Sequence, residues 1–190
     1  MNELDERYST SEDAILGAFF LLSKEKSFDK ISVSDVIKKA GIVRSTFYNH
    51  YENIPALILA AEDKTIDDIF KMMESFHPKN DRDICSSYFL AICNYTKENP
   101  FLANLIKSAQ GDRFFEKAMS MFHKYVTKVT NDVSEEISSR DEFAFLVAGI
   151  IGATLGVLHK WISEDCSSSP EYIANILAEI LLHHFNNLFN

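Results

Sequence analysis

Between Val43 and Tyr51 the chain reads Val-Arg-Ser-Thr-Phe-Tyr-Asn-His-Tyr. Wound as a helix, this stretch puts Val43, Phe47 and Tyr51 on one inward line at i, i+4 and i+8. Arg44, Ser45, Tyr48 and Asn49 then fall together on the opposite face. The first face can pack, while the second offers a guanidinium, a hydroxyl, a phenol and a carboxamide. Those groups suit the edges of base pairs in a DNA major groove, where arginine reads guanine, asparagine reads adenine, and small hydroxyls or methyls meet thymine.

Other chemistries find no support in residue spacing. The histidines other than His50 are His77, His123, His159, His183 and His184, and they form neither an HxxxH nor an HExxH pattern. His183 and His184 are adjacent and diverge by about 100° on a helix. No metal site is expected. Glycine-rich phosphate loops, paired carboxylates and nucleophile triads are missing from the sequence, so neither an enzyme nor a cofactor is expected. Cys85 and Cys93 lie about 12 Å apart along a helix, too far for a disulfide. Buried thiols are the expectation for them. With Cys166 the cysteines number three, and the first residues are polar and acidic rather than a signal peptide. Both observations suggest a reducing, cytoplasmic setting.

An interaction face needs elements that hold it. Val33, Val36, Ile37 and Ala40 repeat at helical spacing, with Ser32 and Asp35 placed as N-cap and N3 of a capping box and Gly41 placed to stop the helix. Before them, Ile15, Ala18, Phe19 and Leu22 form another apolar stripe, and Ser9 with Glu12 suggests where that helix starts. Asn53 and Pro55 open a long fourth helix, which ends at His77-Pro78-Lys79-Asn80. A fifth follows, then a short sixth from Asn99-Pro100 to near Gly111, a seventh with its apolar stripe from Phe115 to Val129, an eighth from about Asp141 to Glu164, and a ninth from Ser169-Pro170. The expectation is an all-α protein of about nine helices. A three-helix helix-turn-helix domain occupies residues 1–52, and a helical bundle for ligand binding and dimerisation occupies 53–190.

The chain has 190 residues and a formal net charge of −9, which argues at first against a nucleic-acid partner. The charge is unevenly spread. From Lys24 to Tyr51, Lys24, Lys26, Lys30, Lys38, Lys39 and Arg44 outnumber Glu25, Asp29 and Asp35. An acidic chain can therefore still present a cationic face. The apolar run from Phe143 to Leu158 falls short of the roughly 20 residues of a membrane span, so a core helix is expected there and no membrane partner.

Residues 14–61 resemble the DNA-binding domain of TetR-type transcriptional regulators. The resemblance rests on Ala14-Ile15-Leu16-Gly17-Ala18-Phe19, Ile31-Ser32-Val33-Ser34-Asp35-Val36-Ile37, Ala40-Gly41-Ile42, Ser45-Thr46-Phe47-Tyr48-Asn49-His50-Tyr51 and Ala56-Leu57. Farther on, Phe145 to Gly152 with Trp161-Ile162 is similar to a C-terminal type found in some of these regulators, including ones tied to dihydroxyacetone use. The resemblance implies a homodimeric repressor that binds a palindromic operator in double-stranded DNA and is released by a small effector. It implies DNA contacts from Ser34, Arg44, Ser45, Thr46, Tyr48, Asn49 and His50. Tyr48 and His50 would hold phosphates, and Arg44, Ser45 and Asn49 would reach bases. Three positions depart from the pattern: Val43 replaces the usual serine N-cap, Asn49 a common aromatic, and Ile54 a frequent phosphate-binding lysine.

For the remainder of the chain, the eighth and ninth helices are expected to pair with their symmetry mates. Helix eight is apolar on nearly every side and carries Gly149, Gly152 and Gly156, which suit close helix packing. Tyr88, Phe89, Phe101, Phe115, Met119, Phe122 and Trp161 are the candidate lining for a small apolar effector. A helical adaptor without DNA binding is the alternative reading, with an enzyme behind it.

Overall fold

The computed structural model describes residues 3–74, 82–108, 111–133 and 143–189. Among these residues the regular elements are nine α-helices and one 3-10 turn, with no strand. The helices are α1 (Glu3–Glu25), α2 (Val33–Ala40), α3 (Arg44–His50), α4 (Ile54–Glu74), α5 (Arg82–Glu98), α6 (Pro100–Ile106), α7 (Gly111–Val133), α8 (Phe143–Ser163) and α9 (Pro170–Phe189). The 3-10 turn Phe28–Lys30 lies between α1 and α2. The all-α expectation is met. The expected loop at His77-Pro78-Lys79-Asn80 and the start of α8 near Asp141 lie outside the described residues.

Two boundaries differ from the sequence reading. Helix α1 begins at Glu3, so Ser9 lies inside it rather than capping it. Helix α6 ends at Ile106, and Gly111 opens α7 instead of closing α6. A Cβ at Gly111 would collide with the Ile106 carbonyl oxygen. Glycine is needed there because the two backbones come close.

The chain divides into two packed units. The first comprises residues 1–65 and 99–104, and the second comprises 66–98 and 105–190. In the first unit, Ile15, Phe19, Val36, Phe47, Leu57 and Phe101 are fully buried. Phe101 is set among Phe20 at 5.2 Å, Phe19 at 5.7 Å and Phe28 at 6.1 Å between ring centroids. Asn104 Nδ2 donates to the Ser23 carbonyl at 3.0 Å and fixes the same segment. A residue expected in an effector lining thus belongs to the core around α1. Its ring completes an aromatic cluster whose other members lie more than 70 residues earlier in the chain.

Among the described residues of the second unit, two apolar clusters stand out, and α8 serves both. One combines Cys85, Phe89, Ile92 and Cys93 of α5 with Leu158 and Trp161 of α8 and Ile173, Ala174, Leu177 and Ala178 of α9. The other joins Ala118 and Phe122 of α7 to Val147, Ile150, Ile151 and Leu155 of α8. This double duty explains why α8 is apolar on so many sides. By length and composition alone Ala144–Ser163 could cross a membrane, and 44% of that stretch is buried. Its remaining faces expose Phe145 at 81%, along with Gly149, Gly152 and Gly156. Cys85 and Cys93 are buried and form no disulfide, and burial pushes the Cys93 thiol up to about 12.

Candidate nucleic-acid interface

The recognition element is assembled by short-range hydrogen bonds. Ser32 Oγ accepts from the Asp35 amide at 3.2 Å, and Asp35 Oδ2 accepts from the Ser32 amide at 2.9 Å. This reciprocal capping box starts α2. Lys26 Nζ adds an ion pair to Asp35 Oδ2 at 2.7 Å, tying the segment after α1 to the head of α2. Gly41 ends α2 at φ 67°, and its amide donates to the Ile37 carbonyl. That left-handed residue turns the chain sharply into α3.

The Lys26 ammonium and the Ser32 donors hold the Asp35 carboxyl well below the usual carboxylate range. A depressed folded value means that ionised Asp35 stabilises the fold above its unfolded value of about 4. That contribution is lost as pH falls further. Asp35→Asn is therefore expected to lower the melting temperature at neutral pH, with the difference from wild type closing as the pH drops below about 4. Scanning calorimetry at both pH values checks this, and a difference that persists in acid would remove the carboxylate from the account.

Helix α3 begins without a side-chain cap. Val43 is the N-cap residue, extended at φ −87° and ψ 157°, and is 66% exposed. The inward line expected for Val43, Phe47 and Tyr51 therefore loses its first member. Val43 lies outside the helical turn, so the 100° projection does not apply to it. Phe47 and Tyr51 are buried as expected. Tyr51 Oη donates to Glu12 Oε1 of α1 at 3.1 Å, and burial with the nearby Glu12 charge pushes its phenol well above the ordinary range.

The polar residues singled out in the sequence separate into two groups. Ser34, Arg44, Ser45, Tyr48 and Asn49 are exposed. Arg44 Nη2 donates to Tyr48 Oη at 3.1 Å, and the guanidinium sits 5.4 Å from the Tyr48 ring centroid. Thr46 and His50 are half-buried. His50 is engaged by α1: its Nε2 lies 2.7 Å from Ser11 Oγ, and its ring centroid is 4.0 Å from that of Tyr8. Sequence reasoning missed Tyr8, Ser11, Glu12 and Lys26 as supports of this element. Ser11 and His50 are 39 positions apart, as are Glu12 and Tyr51. No local pattern records such pairings.

Around the helix-turn-helix, Lys39 pairs with exposed Glu25 at 3.1 Å, while Lys24, Lys30 and Lys38 are exposed. At the start of α4, Asn53 Oδ1 accepts from the Ala56 amide at 2.9 Å and caps the helix. Ile54 is half-buried there.

Of the residues named for an effector, Tyr88, Phe89, Phe115, Phe122 and Trp161 belong to the second unit. Phe89, Phe122 and Trp161 are buried. Phe115 meets His159 edge-on at 5.3 Å. Met119 is 40% exposed. Phe101 belongs to the first unit. A groove of about 510 Å³ opens elsewhere in the second unit, along α8 and α9, lined by Gly156, Lys160, Trp161, Tyr172, Ile176 and Ile180, among others. Among the described residues no group of three or more His, Cys, Asp or Glu could hold a metal ion.

Comparison with known proteins identifies the family. Residues 83–183 match the TetR_C_8 family, described as a transcriptional regulator C-terminal region. The helix-turn-helix regulator YvdT of Bacillus subtilis (strain 168) is 39% identical over 57 residues, 30% of this chain and 29% of that protein. The likeness to YvdT thus spans under a third of its length. A TetR-family regulator from Streptomyces coelicolor superposes with a TM-score of 0.71 at 15% identity, over 94% of this chain and 85% of that one. Another, from Mesorhizobium loti MAFF303099, has a TM-score of 0.68 at 12% identity, over 98% of both chains. These likenesses are to regulators, not enzymes. With the family match covering more than half of the 190 residues, the chain belongs to the TetR family of transcriptional regulators.

Proposed function

We propose that this protein is a cytoplasmic repressor that binds a palindromic operator as a homodimer and is released by a small apolar effector. Residues 1–52 act as the DNA-binding part, and 53–190 as the regulatory and dimerising part. The observation that carries the reading is the solvent-facing set Ser34, Arg44, Ser45, Tyr48 and Asn49 on a helix-turn-helix whose first helix is capped at both ends. Thr46 and His50 join it at the edges, with His50 oriented by Ser11. Exposed Lys24, Lys30 and Lys38 supply the nonspecific attraction to phosphates that the net charge of −9 withholds.

Dimerisation is proposed through α8 and α9, where Phe145, Gly149, Gly152, Gly156 and Tyr172 are exposed. The effector is proposed to bind among Tyr88, Phe89, Phe115, Phe122 and Trp161, an aromatic set of low charge. Its affinity must differ between DNA-competent and DNA-incompetent states for release to follow.

Selection from a random duplex library, followed by footprinting on the best sequence, tests the function. The expected product is an inverted repeat whose half-site centres lie one helical turn apart, about 34 Å. Recovery of no preferred sequence at low salt would return the chain to the helical-adaptor reading.

A further inference from the structure

Arg44 and Tyr48 stand one turn apart on the exposed face of α3, and they are joined twice. Arg44 Nη2 donates to Tyr48 Oη at 3.1 Å. The guanidinium also lies 5.4 Å from the centroid of the Tyr48 ring. Tyr48 is 46% exposed, so crowding does not force the contact. Beneath it, the Tyr48 ring meets buried Phe47 edge-on at 5.5 Å. The guanidinium is thus held by the phenol, and the phenol by the core.

The hydrogen-bond inventory leaves this pair ready for two partners. Arginine has five N–H donors, and one goes to Tyr48. Enough remain for the two-donor contact with guanine O6 and N7. Tyr48 uses its oxygen as the acceptor, so its single proton stays available to a phosphate oxygen. A hydroxyl that accepts from a cation is polarised into a better donor. A long arginine side chain held before binding also has less rotamer freedom to lose on contact with DNA.

We infer that Tyr48 is a positioning residue for specificity: it holds the Arg44 guanidinium to read one guanine while its own hydroxyl fixes a phosphate. The inference rests on the DNA-binding reading and deepens it. A phosphate contact alone would lower affinity evenly across sequences. The joined pair instead links Tyr48 to a single base pair in each half-site.

The test uses the full chain as wild type, Arg44→Ala, Tyr48→Phe and the double variant, with fluorescence anisotropy on the selected site and its single-base changes. Tyr48→Phe keeps the ring against Phe47 and removes one oxygen. Arg44→Ala is expected to reduce discrimination at one base pair of each half-site by about 5- to 100-fold. Tyr48→Phe is expected to reduce it at the same pair by about 2- to 10-fold, with no added loss there in the double variant. An even loss of affinity from Tyr48→Phe is expected from the phosphate contact; an even loss with discrimination unchanged at that pair, or losses that multiply there in the double variant, overturns the inference. Nitrogen-15 relaxation of Arg44 Nε in the free protein supplies a readout that needs no DNA. Slower motion in wild type than in Tyr48→Phe supports the pairing, and equal motion overturns it. Wild type that enriches no sequence overturns the DNA-binding reading and this inference together, even with Arg44 held in the free protein.

Discussion

Gly152→Leu is expected to leave each protomer folded and to abolish operator binding. A Cβ built on Gly149, Gly152 or Gly156 meets no heavy atom within 4 Å. A leucine at 152 therefore has open space in the single chain. It also has the better intrinsic helix propensity, by roughly 0.5–1 kcal/mol. Any damage must come from a surface that lies on Gly152 in an assembly. If α8 and its symmetry mate cross there, a side chain forces the helices apart. The two recognition helices then no longer bind as one unit, and the avidity of about 100-fold or more from paired half-sites is lost. Sedimentation and anisotropy on one sample check this, with circular dichroism as the folding control. A variant that remains dimeric and binds like wild type would move the interface away from this stripe.

Phe101→Ala is expected to be the most damaging single change in the first unit. Phe101 is 0% exposed, and its ring touches those of Phe19, Phe20 and Phe28. Removing a buried phenylalanine ring costs about 3–5 kcal/mol. A domain has only about 5–15 kcal/mol in total. The helix-turn-helix should therefore lose about a third or more of its stability although no residue in it has changed. Urea unfolding followed by circular dichroism measures the loss. A shift equivalent to less than about 1 kcal/mol would mean that the cluster repacks around the gap.

What the sequence disclosed, and what it hid, follows from the range of each interaction. Ser32, Asp35 and Gly41 declare the limits of α2 because capping acts over three or four residues. Phe47 declares the inner face of α3 by periodicity, and Tyr51, one residue past the helix, is buried beside it. Val43 misleads the same reasoning because the periodicity stops one residue short of it. The family resemblance supplies which polar positions are expected to face DNA. It does not supply the Arg44 and Tyr48 contact, which depends on rotamers. The roles of Tyr8, Ser11, Glu12 and Phe101 are invisible locally, since their partners lie 39 to 82 positions away in the chain. Phe101 in particular sits in an aromatic run and reads as one lining residue among several. Only its placement against α1 separates it from Phe89 and Phe122.

The single tryptophan of the chain, Trp161, is 2% exposed, and its indole N–H donates to the Ser168 carbonyl at 3.0 Å. It also borders the groove along α8 and α9. Every photon of indole emission therefore originates in the second unit, beside the surface proposed for assembly, while the seven tyrosines are shared between the two units. The protein carries a native optical label in its second unit. Its first unit is silent at indole wavelengths, so the two units can be followed separately without attaching a dye.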